Sequence, residues 1–110
     1  MAENIFIGFR REPKNLEAVL RREGYNHKEN YGNFIWYTRE KEEWPQLILC
    51  DPNPIQIKAK FWDVLGIKVT SELAINYRLL DGTDKEAERL YKIIKKELSC
   101  FIYDQDFKKV

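Results

Sequence analysis

Histidine, cysteine and phosphate-binding glycine motifs are scarce or missing in this chain, and each scarcity closes off a class of chemistry. The single histidine, His27, stands in a polar stretch with no nucleophile or orienting acid marked beside it, so it reads as a surface residue rather than a catalytic base. Two cysteines, Cys50 and Cys100, each end a hydrophobic run and lie far apart. They are expected to be small core residues of a reduced protein, not a disulfide or a redox pair. One histidine and two scattered cysteines form none of the usual zinc-ligand clusters, so neither metal nor cofactor is expected.

Neither sign of charge is in excess. The 19 Lys and Arg nearly cancel the 18 Asp and Glu, which removes the broad electrostatic footprint of a general nucleic-acid or anionic-membrane binder and leaves room only for a local patch. No apolar run approaches the roughly 18 residues that a membrane-spanning helix needs. Met1-Ala-Glu-Asn4 has no basic leader, and Arg10, Arg11 and Glu12 interrupt the first apolar stretch, so no export signal is expected and the location is expected to be cytoplasmic.

What the chain does have is apolar surface. Hydrophobic residues make up 44% and aromatics 14% of 110 residues, enough for one packed core and too few residues for two, so a single domain spanning 1–110 is expected. Ile5, Ile7 and Phe9 alternate as a short strand. Pro13, the helical spacing of Leu16, Val19 and Leu20, and a stop at Gly24 predict a helix over 13–23, with Tyr25 folding back on Leu20. A polar segment with a hairpin about Gly32 leads into a strand at 34–38; 41–45 reads as a loop; Leu47 to Cys50 reads as a strand ended by Asp51 and Pro52.

The segment 54–65 is ambiguous. Ile55, Ile57, Ala59 and Phe61 alternate like a strand, yet Asn53, Pro54 and Gly66 frame a helix, which is the favoured reading. From Gly66 to Leu79 the period is two: Ile67, Val69, Leu73, Ile75, Tyr77 and Leu79 share the parity expected to be buried, while Lys68, Thr70, Glu72, Asn76 and Arg78 share the other. Thr83-Asp-Lys-Glu86 matches a capping box opening a helix with Ala87, Leu90, Tyr91, Ile94 and Leu98 on one face, and Phe101 to Tyr103 closes as a strand. The order β-α-β-β-β-α-β-α-β predicts an α+β two-layer sandwich, with helices packed on one side of a mainly antiparallel sheet.

Candidate chemistry is sparse. Asp104 and Asp106 could converge on a divalent ion at a strand end, and with Asp51 they define one alternative, a small metal- or nucleotide-binding enzyme domain. A solvated strand end is the plainer account. Phe34, Trp36 and Tyr37, with Lys28 and Arg39 nearby, invite comparison with a base-stacking platform, but only Phe34 and Trp36 share a face and the RNA-recognition signature is missing. Glu72, Asn76 and Arg78 form a polar strand face open either to solvent or to a protein partner.

The C-terminal half carries a Phe61-Trp62 pair, Leu65-Gly66 before a strand that ends in Tyr77-Arg78-Leu79, then a helix and a last strand running Phe101 to Asp104. In these features it resembles small bacterial immunity proteins of polymorphic toxin systems. The resemblance implies a cytosolic protein that binds a cognate toxin stoichiometrically and blocks it, without chemistry of its own. For such a non-catalytic protein-binding domain the contact residues expected are Trp44 first, then Glu72 and Arg78. A self-associating structural or regulatory protein is the second alternative.

Overall fold

The structure is a computed structural model and describes residues 2–32, 34–50, 64–79 and 81–110. Alternation sets the central strands. In β1 (Ala2–Phe9), Ile5, Ile7 and Phe9 are buried on one face, and β5 (Ser71–Arg78) pairs with it antiparallel along its full length, from Ala2 opposite Arg78 to Phe9 opposite Ser71. That ladder supplies partners for the backbone of polar Glu3 and Asn4, which is why β1 starts earlier than its apolar residues alone predict.

The first helix, α1 (Leu16–Arg22), is shorter than predicted because Pro13 to Asn15 form a turn, with the Leu16 N–H donating to the Pro13 carbonyl at 3.1 Å. Its end follows the sequence reading. Gly24 has φ +97°, its N–H donates to the Arg21 carbonyl (3.1 Å), and the Tyr25 N–H donates to the Leu20 carbonyl (2.9 Å). This is a Schellman closure, and it delivers Tyr25 into the core, fully buried.

β2 (His27–Asn30) and β3 (Phe34–Arg39) make the hairpin about Gly32. β4 (Glu42–Cys50) corrects the expected loop at 41–45: only the turn at Glu40 and Lys41 is loop, and Trp44 and Pro45 lie within the strand. Proline is tolerated there because the β3–β4 register shifts between Tyr37 and Arg39, so no regular ladder bond is asked of its missing N–H. The remaining elements are α2 (Thr83–Glu97) and β6 (Phe101–Asp104). Of the helix expected over 54–65, Val64 and Leu65 are helical; the rest lies outside the described residues, as does Asp51.

The six strands form one antiparallel sheet in the order β2-β3-β4-β5-β1-β6. Both helices pack on one face, where Leu16, Leu20, Ala87, Leu90 and Ile94 meet Ile5, Ile7, Leu47, Leu73, Ile75 and Ile102. The α+β sandwich expected from the element order is the fold observed. Among the described residues no helix is long and apolar enough to cross a membrane.

Two expectations about β5 fail. Leu79, assigned to the buried parity, lies past the strand end and is 48% exposed. Glu72, assigned to the polar parity, is only 2% exposed, set between Cys50 of β4 and Gly8 of β1 on the second face of the sheet. Burial and the neighbouring Glu72 charge push the Cys50 thiol up, and burial pushes Cys100 up to about 11. Both cysteines are free and half-buried, so they are less enclosed than core residues.

The capping box is also replaced. Gly82, in the left-handed region at φ +70°, occupies the N-cap position of α2 without a side-chain cap. The Thr83 hydroxyl instead accepts from the Arg78 N–H (2.8 Å) and donates to the Arg78 carbonyl (2.9 Å). Glu86 is drawn away by Tyr25, Arg39 and Arg89.

Candidate functional site

Two of the three contact residues expected from the sequence, Trp44 and Arg78, converge on one end of the sheet, where β3 turns into β4 and β5 turns into α2. The β4–β5 register, with Gln46 opposite Asn76, carries Trp44 to a position across from Arg78 on the same face. The Arg78 guanidinium carbon lies 5.6 Å from the Trp44 ring centroid, within cation–π range. Its Nε is 3.3 Å from Asp81, and the Thr83 hydroxyl clamps its backbone on both sides. Arg78 is therefore held in place before any partner arrives. Leu79 follows directly and is largely exposed.

On the helix side of Leu79 a cleft of about 430 Å³ opens. Ile5 and Ala87 form its floor, Tyr77 and Tyr91 its walls, and exposed Leu79 and Val110 (37% exposed) its apolar rim. The Tyr77 hydroxyl donates to Glu3 at 3.2 Å, and burial together with that carboxylate raises the phenol to about 12, so it stays a neutral donor at any ordinary pH. Asp84 and Glu88 line the cleft one helical turn apart; Glu88 is paired with Lys92 at 2.8 Å. The arrangement offers apolar contact, aromatic edges and negative charge.

Comparison with protein-family models, curated proteins and solved structures finds no match. Function must be read from the geometry of this chain.

Of the three contact residues expected, Trp44 and Arg78 come together and Glu72 does not. Glu72 lies six residues along β5 from Arg78 and is buried, so its carboxylate is not presented at this surface. The acids of the alternative enzyme reading are differently placed. Asp104 Oδ1 accepts the N–H groups of Asp106 and Lys108, both at 2.9 Å, and so holds the turn that folds the C-terminal tail back on β6. Asp106 is exposed within that turn. Among the described residues no group of three or more His, Cys, Asp or Glu side chains is arranged to hold a metal ion.

The aromatics weighed as a stacking platform divide between the two faces, Phe34 and Trp36 together as their parity predicts. Tyr37 is buried on the helix face, where burial and Glu17 raise its phenol to about 12. Phe34 and Trp36 occupy the other face and gather Tyr31, whose ring stacks on Phe34 at 5.2 Å and meets Trp36 edge-on at 6.0 Å. His27 is exposed and lies 3.0 Å from Glu29. Sequence reasoning missed Leu79, Tyr91 and Val110 as surface features. The available signal for Leu79 was the Asp81-Gly82 turn immediately after it, which ends β5 early.

Proposed function

We propose that this protein is a non-catalytic protein-binding domain that meets its partner through the end of the sheet bearing Trp44, Arg78 and Leu79. The observation that carries the reading is the Trp44–Arg78 pair on one face of the sheet end, with exposed Leu79 and a cleft with tyrosine walls on the helix face of the same end. Trp, Tyr and Arg are the residue types that dominate binding energy at interfaces, and a side chain already held by Asp81 and the Trp44 ring, on a backbone tied by Thr83, loses little conformational freedom on docking. Around the pair, Glu40, Glu42, Glu43, Asp81 and Asp84 stand against Arg39, Lys41, Arg78 and Lys85, with Glu42 paired to Arg39 and Asp81 to Arg78, which gives a polar rim of both signs.

The resemblance of the C-terminal half to immunity proteins gives the reading its finer form: the partner is a cognate bacterial toxin, neutralised by stoichiometric binding. The test starts from the neighbouring gene: any toxin domain encoded there is co-expressed with this protein, and calorimetry is run on the purified pair. A one-to-one complex and protected growth are expected. Trp44→Ala and Arg78→Glu should each weaken binding about 30-fold, a loss of about 2 kcal/mol. No complex, or full affinity in both variants, overturns the proposal.

A further inference from the structure

The near-neutral net charge conceals a second cleft, at the opposite end of the sheet, with the reverse polarity. Chain leaving β1 lays Arg10, Arg11 and Lys14 along a depression of about 380 Å³ between the β1–α1 connection and the end of α2. All three are exposed, and among the described residues none forms an ion pair. The contrast lies among the arginines: Arg21, Arg22, Arg39, Arg78 and Arg89 each have a carboxylate partner, so that Arg10 and Arg11 are the two described arginines without one, whereas several lysines besides Lys14 also stand unpaired.

Glu12 is the one acid on the lining, against three cations. Arg10 is anchored, its guanidinium carbon 4.9 Å from the Phe101 ring centroid. Phe9 and Leu98 contribute apolar surface, and the Ser99 side chain adds a hydroxyl. Lys95 and Lys96, in the last turn of α2, add positive charge towards the same end, where the neighbouring Glu97 is paired with Arg22.

We propose that this cleft binds a small phosphomonoester. Two guanidinium groups and an ammonium without carboxylate partners suit a dianionic group with three acceptor oxygens, because arginine can meet such a group with two parallel hydrogen bonds. The cleft has the volume of a small-molecule site, and its apolar floor can cover the organic part of the ligand. A depression of this size accommodates a nucleotide-sized molecule rather than a length of polymer. The site is separate from the Trp44–Arg78 end and does not depend on the reading given there.

Nuclear magnetic resonance titration of the intact protein tests the assignment, with adenosine monophosphate, inorganic phosphate and uncharged adenosine as probes. Saturable shifts are expected at the amides of Arg10, Arg11, Lys14 and Ser99 with the monophosphate and with phosphate, and none with adenosine. The monophosphate should bind about tenfold more tightly than phosphate, and Arg11→Glu and Lys14→Glu should each weaken it about tenfold or more. Trp44→Ala should leave the titration unchanged. The proposal fails if adenosine matches the monophosphate, or if the shifts do not saturate by about 10 mM, a dissociation constant too weak for a formed site. It also fails if the charge-reversed variants titrate like the parent. If a single-stranded oligonucleotide binds while the monophosphate does not, the site belongs to a polymer and the small-ligand assignment is wrong.

Discussion

Glu86 gathers three donors from three parts of the chain. The Tyr25 hydroxyl reaches it from the end of α1 at 2.8 Å, Arg39 from β3, and Arg89 from the next turn of α2 through two bonds of 2.6 and 2.7 Å. Burial disfavours its ionisation, but the hydrogen bonds from Arg89, Arg39 and Tyr25 outweigh that and bring the carboxyl down to about 2, below the ordinary value of 4.5. A folded-state value below the unfolded one means that the stabilisation is complete above about pH 4.5 and is lost as pH falls towards 2. Glu86→Gln should therefore lower stability at pH 7 by about 1–3 kcal/mol. Urea titrations should show the gap between parent and variant closing through that acidic window; a gap independent of pH would assign the loss to packing. Tyr25→Phe, which keeps the buried ring and removes one donor, should cost about 1 kcal/mol. The cluster's distribution explains why a motif search assigned Glu86 wrongly: its partners lie 61 and 47 residues away and on the following turn, and they compete successfully with a local cap.

At the scale of elements, two turns fix where the helices attach. Gly24 closes α1 in a conformation that an L-residue adopts at a cost, and a Cβ built there meets nothing within 4 Å. Gly24→Ala should thus destabilise by about 1 kcal/mol through backbone strain alone, without any steric clash. Thr83 does a different task from the one its sequence context announces, since its hydroxyl ties the end of β5 to the start of α2. Thr83→Val should cost about 1–2 kcal/mol in chemical denaturation while Thr83→Ser should recover most of it. Equal losses in both variants would mean that the methyl group, not the hydroxyl, matters. The clamp also supports Arg78, so Thr83→Val should weaken partner binding more than its effect on stability explains. The alternation that identifies β5 is local and was legible; the exposure of each face was not, because it depends on what neighbouring strands contribute. Glu72, opposite Gly8 and Cys50 on the flanking strands, is buried although its parity is that of the polar face.

For the whole molecule, one core joins both helices to the central strands, and α2 supplies Ala87, Leu90 and Ile94 to it. Leu90→Ala, at a fully buried position, should cost about 3 kcal/mol, a large share of the roughly 5–15 kcal/mol that domains of this size possess. A urea midpoint lowered at unchanged slope is the expected result. Charge is organised at the same scale. The turns after β3 and β5 bring Glu40, Glu43, Asp81 and Asp84 to one end of the sheet, while the exit of β1 and the last turn of α2 bring Arg10, Arg11, Lys14, Lys95 and Lys96 to the other. A net charge of +1 thus conceals an uneven distribution, with Lys41 and Lys85 among the acids of the first end and Glu12 and Glu97 among the cations of the second.

Sequence by itself determined the elements that depend on neighbours within a few residues. The period of two in β1 and β5, the helical spacing of α2, the glycine closure of α1 and the hairpin about Gly32 all follow from local sterics and from which side chains can share a face. The class of fold followed from their order. Tertiary structure alone decided the rest: that Trp44 lies in a strand, stacked on Arg78; that Glu72 is buried while Leu79 is exposed; that Glu86 serves an ion network instead of a cap; and that charges scattered along a balanced sequence are distributed unevenly between two ends. These are matters of register and strand order, which join residues distant in the chain and set each side chain's access to water, so no local pattern contains them.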